Sequence, residues 1–484
     1  MGLRTKEEYF RGIESHPREI YIAGERVDDP FKHPITRSVL NSIGATFDLA
    51  LKKEYEGILT AIGLDNEKIN RFLHIESSKE DLLLRIEAMR IVNRFIGDCN
   101  YRCAGHDAIN ALYATTFEID REFNTNYHER LKSYLKMVQH NDLVIAGAIT
   151  DVKGDRSKGP SEQDEKDTYV HIVEERRDGI VVSGVKMHIS GAMMSDELVV
   201  IPTRALKEGE EEYAVAFSIP SHTDGIYYIS SWNNMDVLYK VANELGVKLD
   251  VPSIYGHRIT NIILFDNVFI PKERVFMSGE VKYTGNLVKY FIAHHRGGGA
   301  GCKAAFGEVI IGATALMAKA NGVLESRVIR EKLTEMKYHA EASYATGVAA
   351  AIKGWAHESG EYIPDIMLAN VAKLEAVNHM KELISLAGDI GGGIVVNMPS
   401  GKDLDNLKFG DKLKAVLRAG SEYTAEDRLK IARFLQNWVA GIHLVGLIQG
   451  GGPPATCYIF IDRLLKEEVP KLIKNVEDIT GIRK

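Results

Sequence analysis

Two short stretches far apart in the chain, Cys99-Asn-Tyr-Arg-Cys103 and His295-Arg-Gly-Gly-Gly-Ala-Gly-Cys302, hold three of the four cysteines. Three thiolates and an imidazole can hold zinc or an iron–sulfur cluster. The apolar spacing from Leu82 to Leu112 predicts a helix, and two cysteines four residues apart then share one helical face. The second stretch reads as the end of a helix (Leu287 to His295), a glycine turn, and Cys302 at the start of a further helix (Lys303 to Asn321). Glycines there let the backbone come close to something bulky. Structural zinc sites favour tight ligand pairs on loops or knuckles, so a helical pair joined to a distant glycine turn better suits a cluster seated between helices. Spacing leaves the opposite reading open with equal weight, that these are small buried hydrophobes, as cysteine often is.

The elements that must position these residues fall into three textures. From Thr5 to about His140 apolar residues recur at helical spacing, with little strand signal. Asn141 opens a series of short β-rich runs bounded by turn residues, among them Leu143-Val-Ile-Ala, Tyr169-Val-His-Ile-Val and Asn261-Ile-Ile-Leu-Phe. Arg176-Arg-Asp-Gly179 reads as a hairpin turn, with Asp-Gly supplying positive φ values. After Pro271 the helical texture returns and runs to the end. The expected fold class is α+β: an N-terminal helical domain (1–142), a central β-barrel or sandwich domain (143–275) and a C-terminal helix bundle (276–484), folded as one unit. No βαβ alternation is present, and no strand precedes Gly297-Gly-Gly-Ala-Gly301, so that run is not a dinucleotide fingerprint.

The length of 484 residues allows two or three domains around a large core, and a formal charge of -7 argues against nucleic acid or an anionic membrane as partner. Small-molecule ligands are expected instead. The charged N-terminus lacks the apolar core of a secretory signal, and no apolar run in the sequence reads as a membrane span. Four cysteines are too few for a disulfide framework, which suits the reducing cytoplasm.

Six motifs then carry a resemblance over nearly the whole chain. Cys99-x-x-x-Cys103, Thr115-Thr-x-Glu-Ile-Asp120, Thr125-Asn-Tyr-His128, Thr150-Asp-x-Lys-Gly-Asp-Arg156, Phe265-Asp-Asn-Val-Phe-Ile-Pro271 and His295-Arg-x5-Cys302-Lys303 resemble the 4-hydroxybutyryl-CoA dehydratase/vinylacetyl-CoA Δ-isomerase family. That family has an acyl-CoA dehydrogenase-like fold and belongs to a wider group with the flavin-dependent 4-hydroxyphenylacetate hydroxylases, which lack the cysteines and the cluster.

The resemblance implies FAD, a [4Fe-4S] cluster held by Cys99, Cys103, His295 and Cys302, an acyl-CoA substrate and a homotetramer. His295 would be an exchangeable ligand and base, with Lys303 retained beside it; His294 is read as packed or solvated. Thr150, Asp151, Lys153, Gly154, Asp155 and Arg156 match the family's flavin and acyl-CoA loop, His188 and Ser190 a second flavin contact. Gly391-Gly-Gly393 and Gly450-Gly451-Gly452 match glycine turns that approach FAD, partly across a subunit boundary. Read without the resemblance, the 150–156 loop is a polar surface turn and the glycines are helix caps.

The proton-handling shell departs from the family. Thr260 stands where the pattern has glutamate, Gly299 where it has tyrosine, and the 445–452 loop is shorter and has no acid. Acyl-CoA isomerisation or dehydration is the first expectation, aromatic hydroxylation the second, and a flavoprotein without turnover the third.

Overall fold

The computed structural model describes residues 2–255, 258–418 and 422–482. The N-terminal region holds α1 (Lys6–Ser15), β1 (Glu19–Ile22), β2 (Glu25–Arg26), α2 (Pro34–Ala50), β3 (Thr60–Ile62), β4 (Lys68–Asn70), α3 (Lys79–Ile96), α4 (Cys103–Phe123) and α5 (Tyr127–His140). It is mainly helical, but two small β elements escaped the sequence reading. One is the β3–β4 hairpin. The other is β1, whose alternating apolar residues Ile20 and Ile22 are buried because the strand joins the sheet of the middle region.

The middle region holds β5 (Ile145–Ala148), β6 (His171–Arg176), β7 (Gly179–Ser190), β8 (Glu197–Val200), β9 (Val215–Pro220), β10 (Ile226–Ser230), α6 (Asn234–Glu244), β11 (Thr260–Pro271) and β12 (Val275–Ser278). Its strands form two open sheets, ordered β2-β1-β10-β11-β7-β6 and β12-β9-β8-β5, and no ring of pairing closes them into a barrel among the described residues. Core residues from both sheets, such as Phe217 and Phe265, pack edge to face, which makes the region a two-sheet arrangement. The β6–β7 hairpin turns at Arg177-Asp178 as expected, yet no residue of the turn, 176–179, has a positive φ. Positive φ falls instead at Asn267, where β11 shifts register against β7 inside the Asp266-Asn-Val motif, a bulge that bends the strand.

The C-terminal region holds α7 (Val281–Ala320), α8 (Arg327–Ile352), the β13 (Trp355–Ala356) and β14 (Tyr362–Ile363) pair, α9 (Ile366–Gly391), α10 (Gly410–Leu417), α11 (Ala425–Val439), α12 (His443–Gln449) and α13 (Pro454–Thr480). The glycine turn expected after His295 is absent: α7 runs unbroken for 40 residues through all the glycines. A glycine in a helix interior costs about 1 kcal/mol relative to alanine, and packing explains why it is kept. A Cβ at Gly301 would stand 2.1 Å from the Ile86 carbonyl oxygen of α3, and one at Gly347 on α8 would stand 2.2 Å from Ala300 Cβ. The glycines therefore bring neighbouring helices against α7 rather than reversing the chain. By length and composition α7 and the 425–480 stretch could each cross a bilayer, contrary to the sequence expectation; α7 is nevertheless enclosed by α3, α4, α8 and α9.

Candidate active site

Cys99 is not on a helix. The predicted Leu82 to Leu112 helix breaks at Gly97, which caps α3 at a φ of 73°, and α4 restarts at Cys103. The connecting loop is pinned by buried polar residues: Asn100 Nδ2 donates to Asn93, and Arg102 donates to Thr46 and to Asp142. Tyr101 adopts a φ of 62°, and its amide donates to Cys99 Sγ. This fold-back still brings the thiols together. Cys99 and Cys103 share a hydrogen bond, which, with the nearby Arg258 charge, holds the Cys99 thiol below its ordinary range; the same bond, together with burial, pushes Cys103 well above it.

His295 and Cys302 lie two turns apart on one face of α7. His295 Nδ1 meets Asp107 Oδ2 at 2.7 Å, and its ring stacks on Phe291. Asp107 is buried on α4, four residues past Cys103; burial disfavours its charge, but the His295 bond and Arg85, 3.5 Å away, hold its carboxyl below the usual range. A carboxylate on Nδ1 fixes the tautomer with the Nε2 lone pair free, the arrangement found behind metal-bound histidines. Cys302 is buried, donates to the Gly299 carbonyl, and shares a core with Cys103 packed against it. His294 turns the other way, buried and 2.6 Å from Glu361, whose carboxylate raises its pKa against the cost of burial.

Beside His295 a cleft of about 230 Å³ opens between α7, α9 and the loop after α12, lined by Arg296, Gly299, Lys303, Lys373, Gly450 and Gly451 among others. No acid lines it. Gly451, at a φ of 75°, faces His295 so closely that a Cβ would lie 3.1 Å from Cδ2. Where the family has tyrosine, a Cβ at Gly299 would lie 3.0 Å from Lys303 Nζ, so Lys303 fills space that an aromatic ring would need. Three basic side chains hold α12 and the loop after it through their carbonyls: Arg258 holds Gly446, Lys373 holds Leu447, and Arg296 holds Gly451. Asp107, Arg258 and Lys373 escaped the sequence reading. The signals were faint: Asp107 shares a helical face with Cys103, and Lys373 interrupts the buried alanine stripe of Ala369, Ala372 and Ala376.

The 150–156 loop follows β5 and runs along β7, where the Met187 amide donates to the Thr150 carbonyl. Lys153 and Arg156 bring positive charge beside His188: burial, and then these cationic neighbours, lower His188. Asp151 is buried in a 2.7 Å ion pair with Lys186 and accepts from the Val170 amide. Asp155 accepts from Ser157, and Gly154 takes a φ of 49° against Gln163, so both shape the loop. Ser190 pairs with Thr260 across β7 and β11. Tyr101 joins this region to the cysteines: its ring lies under Gly191, and its hydroxyl accepts from the Ile259 amide. Gly450 follows α12 and Gly392 caps α9, both close to the helix-capping reading.

Residues 5–277 match the family described as 4-hydroxyphenylacetate 3-hydroxylase N terminal, and residues 284–474 match 4-hydroxyphenylacetate 3-hydroxylase C terminal. The chain is 35% identical to the 4-hydroxybutyryl-CoA dehydratase/vinylacetyl-CoA-Delta-isomerase of Clostridium aminobutyricum, over 98% of this chain and all of that protein. It is 26% identical, over 89% of its length and 87% of the other, to the 4-hydroxyphenylacetate 3-monooxygenase oxygenase component of Thermus thermophilus. Among solved structures, an oxygen-tolerant archaeal 4-hydroxybutyryl-CoA dehydratase from N. maritimus superposes with a TM-score of 0.94 at 36% identity, covering 100% of this chain and 96% of that one. Full-length matches to both halves of the family, with this identity and superposition, place the chain in the 4-hydroxyphenylacetate 3-hydroxylase family, on its 4-hydroxybutyryl-CoA dehydratase branch.

Proposed function

We propose that the chain is an FAD- and [4Fe-4S]-dependent acyl-CoA isomerase and dehydratase, with Cys99, Cys103, His295 and Cys302 holding the cluster. The observation that carries the reading is the Asp107–His295 contact, which leaves an oriented imidazole nitrogen beside a paired Cys99 and Cys103. This donor set fits an iron–sulfur ligand. Thr150, Lys153, Arg156, His188 and Ser190 would meet FAD, with Gly450 and Gly451 closing on it, while Asp151, Gly154 and Asp155 hold the loop in shape. We keep the acyl-CoA dehydrogenase-like division at 1–142, 143–275 and 276–484, a cytoplasmic setting that suits reduced thiols, and a homotetramer. The oligomer is supported by α13, which buries only Cys457 and exposes Leu465, Val469, Leu472, Val476 and Ile479 at alternating four- and three-residue spacing.

When bound, the cluster supplies a Lewis-acidic iron and FAD an electron acceptor. Asp107 orients His295 and keeps its Nε2 free. Glycines at 450 and 451 keep that side of the cleft narrow-walled for an acyl chain, and Lys303 and Arg296 favour the electron-rich end of a thioester. Thr260, Gly299 and the acid-free loop offer no carboxylate for expelling hydroxide, so moving a proton between two carbons is the easier task. The aromatic hydroxylase reading has the weaker support, from the more distant relative.

The test is anaerobic purification with iron, sulfide and flavin analysis, followed by rates on vinylacetyl-CoA and 4-hydroxybutyryl-CoA. Iron and sulfide in equal amounts, one FAD per chain and faster isomerisation are expected. Stoichiometric zinc without acid-labile sulfide would reject the cluster.

A further inference from the structure

We propose that Lys373 is the proton carrier of the cleft beside His295, acting on the acyl chain in place of the missing carboxylates. The proposal rests on the acyl-CoA reading above. Lys373 sits on α9 at a position otherwise given to alanine, 3% exposed, and lines the cleft opposite α7. Its Nζ donates one hydrogen to the Leu447 carbonyl at 2.6 Å. A neutral amine bonded in this way keeps a lone pair for the cleft.

Burial and the cations that face Lys373 favour the neutral form, and of the groups that act on it only Cys457 opposes it. Lys303 and Arg296 approach from α7 and Arg258 from the start of β11. Cys457 approaches from α13 as a thiol that burial keeps protonated. His295 shares the cleft, and among the described residues no acid lines it. Burial first, then these cations, push Lys373 down to about 6. A general base is most effective when its pKa lies near the working pH.

The step balances without any added reagent. The Nζ lone pair takes a proton from the α-carbon of a β,γ-unsaturated thioester, and the C–H electron pair passes into the conjugated enolate. The resulting ammonium returns the proton to the γ-carbon, leaving the α,β-unsaturated product and a neutral amine. The surrounding cations that lower Lys373 also stabilise the enolate, so weakened basicity is offset where negative charge develops.

A purely structural lysine would only tie α9 to α12, and arginine can make that tie but cannot serve as a base near neutral pH. The experiment uses anaerobic protein replete in cluster and flavin, with vinylacetyl-CoA as probe. In the unmodified protein, isomerisation should fall as pH drops below about 6. Lys373→Arg and Lys373→Ala should lose about 10²–10⁴-fold in kcat, with iron, sulfide and FAD retained. Methylamine should partly restore Lys373→Ala, in proportion to its unprotonated fraction. An arginine variant within threefold of the unmodified rate overturns the proposal while sparing the acyl-CoA reading. Variants that lose cofactors along with activity assign Lys373 a structural role and also overturn it. An unmodified holoprotein with no isomerisation removes both readings.

Discussion

Asp107 on α4 and His295 on α7 are joined by a 2.7 Å contact between Oδ2 and Nδ1, which ties the helix that starts at Cys103 to the one that carries Cys302. Outer partners of this kind typically contribute 10–100-fold in metal affinity. Asp107→Asn should therefore retain the fold and FAD, yet release iron about 10–100-fold more readily in a chelator challenge. Unchanged iron retention would show that His295 is not a ligand.

Gly451 combines a left-handed backbone with close approach to the His295 ring. Gly451→Ala should cost about 1–2 kcal/mol from the backbone conformation alone, and its Cβ should displace the imidazole. A lowered Tm with reduced iron content is expected. Thermal melts and metal analysis on one preparation separate the two effects.

Thr260 faces Ser190 across the sheet, where the family pattern has an acid. Dehydration of 4-hydroxybutyryl-CoA should be slow relative to isomerisation, and Thr260→Glu should raise dehydration by about 10²-fold or more if the new carboxylate reaches the substrate. Parallel rates on both esters decide this. Equal rates in the unmodified protein would mean that other groups carry the protons.

The apolar stripe on α13 lies in solvent in the single chain, an arrangement that an isolated helix does not favour. Leu472→Arg should dissociate the oligomer and lower FAD retention. Light scattering with flavin titration would show it. A monomeric unmodified protein that binds FAD tightly would remove the need for a partner.

Lys373 also predicts a stability trend. Its folded pKa of about 6 lies below the 10.5 of an unperturbed lysine, so between these values the unfolded chain binds a proton that the folded chain does not. Stability should rise with pH across that window and fall toward its lower end. Lys373→Met should flatten the slope, as read from denaturant midpoints at pH 7 and pH 9.

The sequence by itself determined the family, through motifs that run from Cys99 to Cys302, and the order of helical, β-rich and helical regions, through apolar periodicity. Local chemistry is legible because it sits in adjacent residues. The tertiary structure decided what depends on contacts between distant segments. Gly297 to Gly301 read as a turn because glycine is costly within a helix, but α3 comes so close at Gly301, and α8 at Ala300, that a larger residue does not fit at those two points. Cys99 read as helical because its neighbours are apolar at the right spacing, but Gly97 ends α3 and the buried bonds of Asn100 and Arg102 hold a loop. Asp151 matched a ligand-contact motif, and the structure adds its buried ion pair with Lys186, a partner on β7. Lys373 carried almost no signal, since a lysine's chemistry is set by what surrounds it, and its surroundings come from α7, α12, α13 and the start of β11, which only packing brings together.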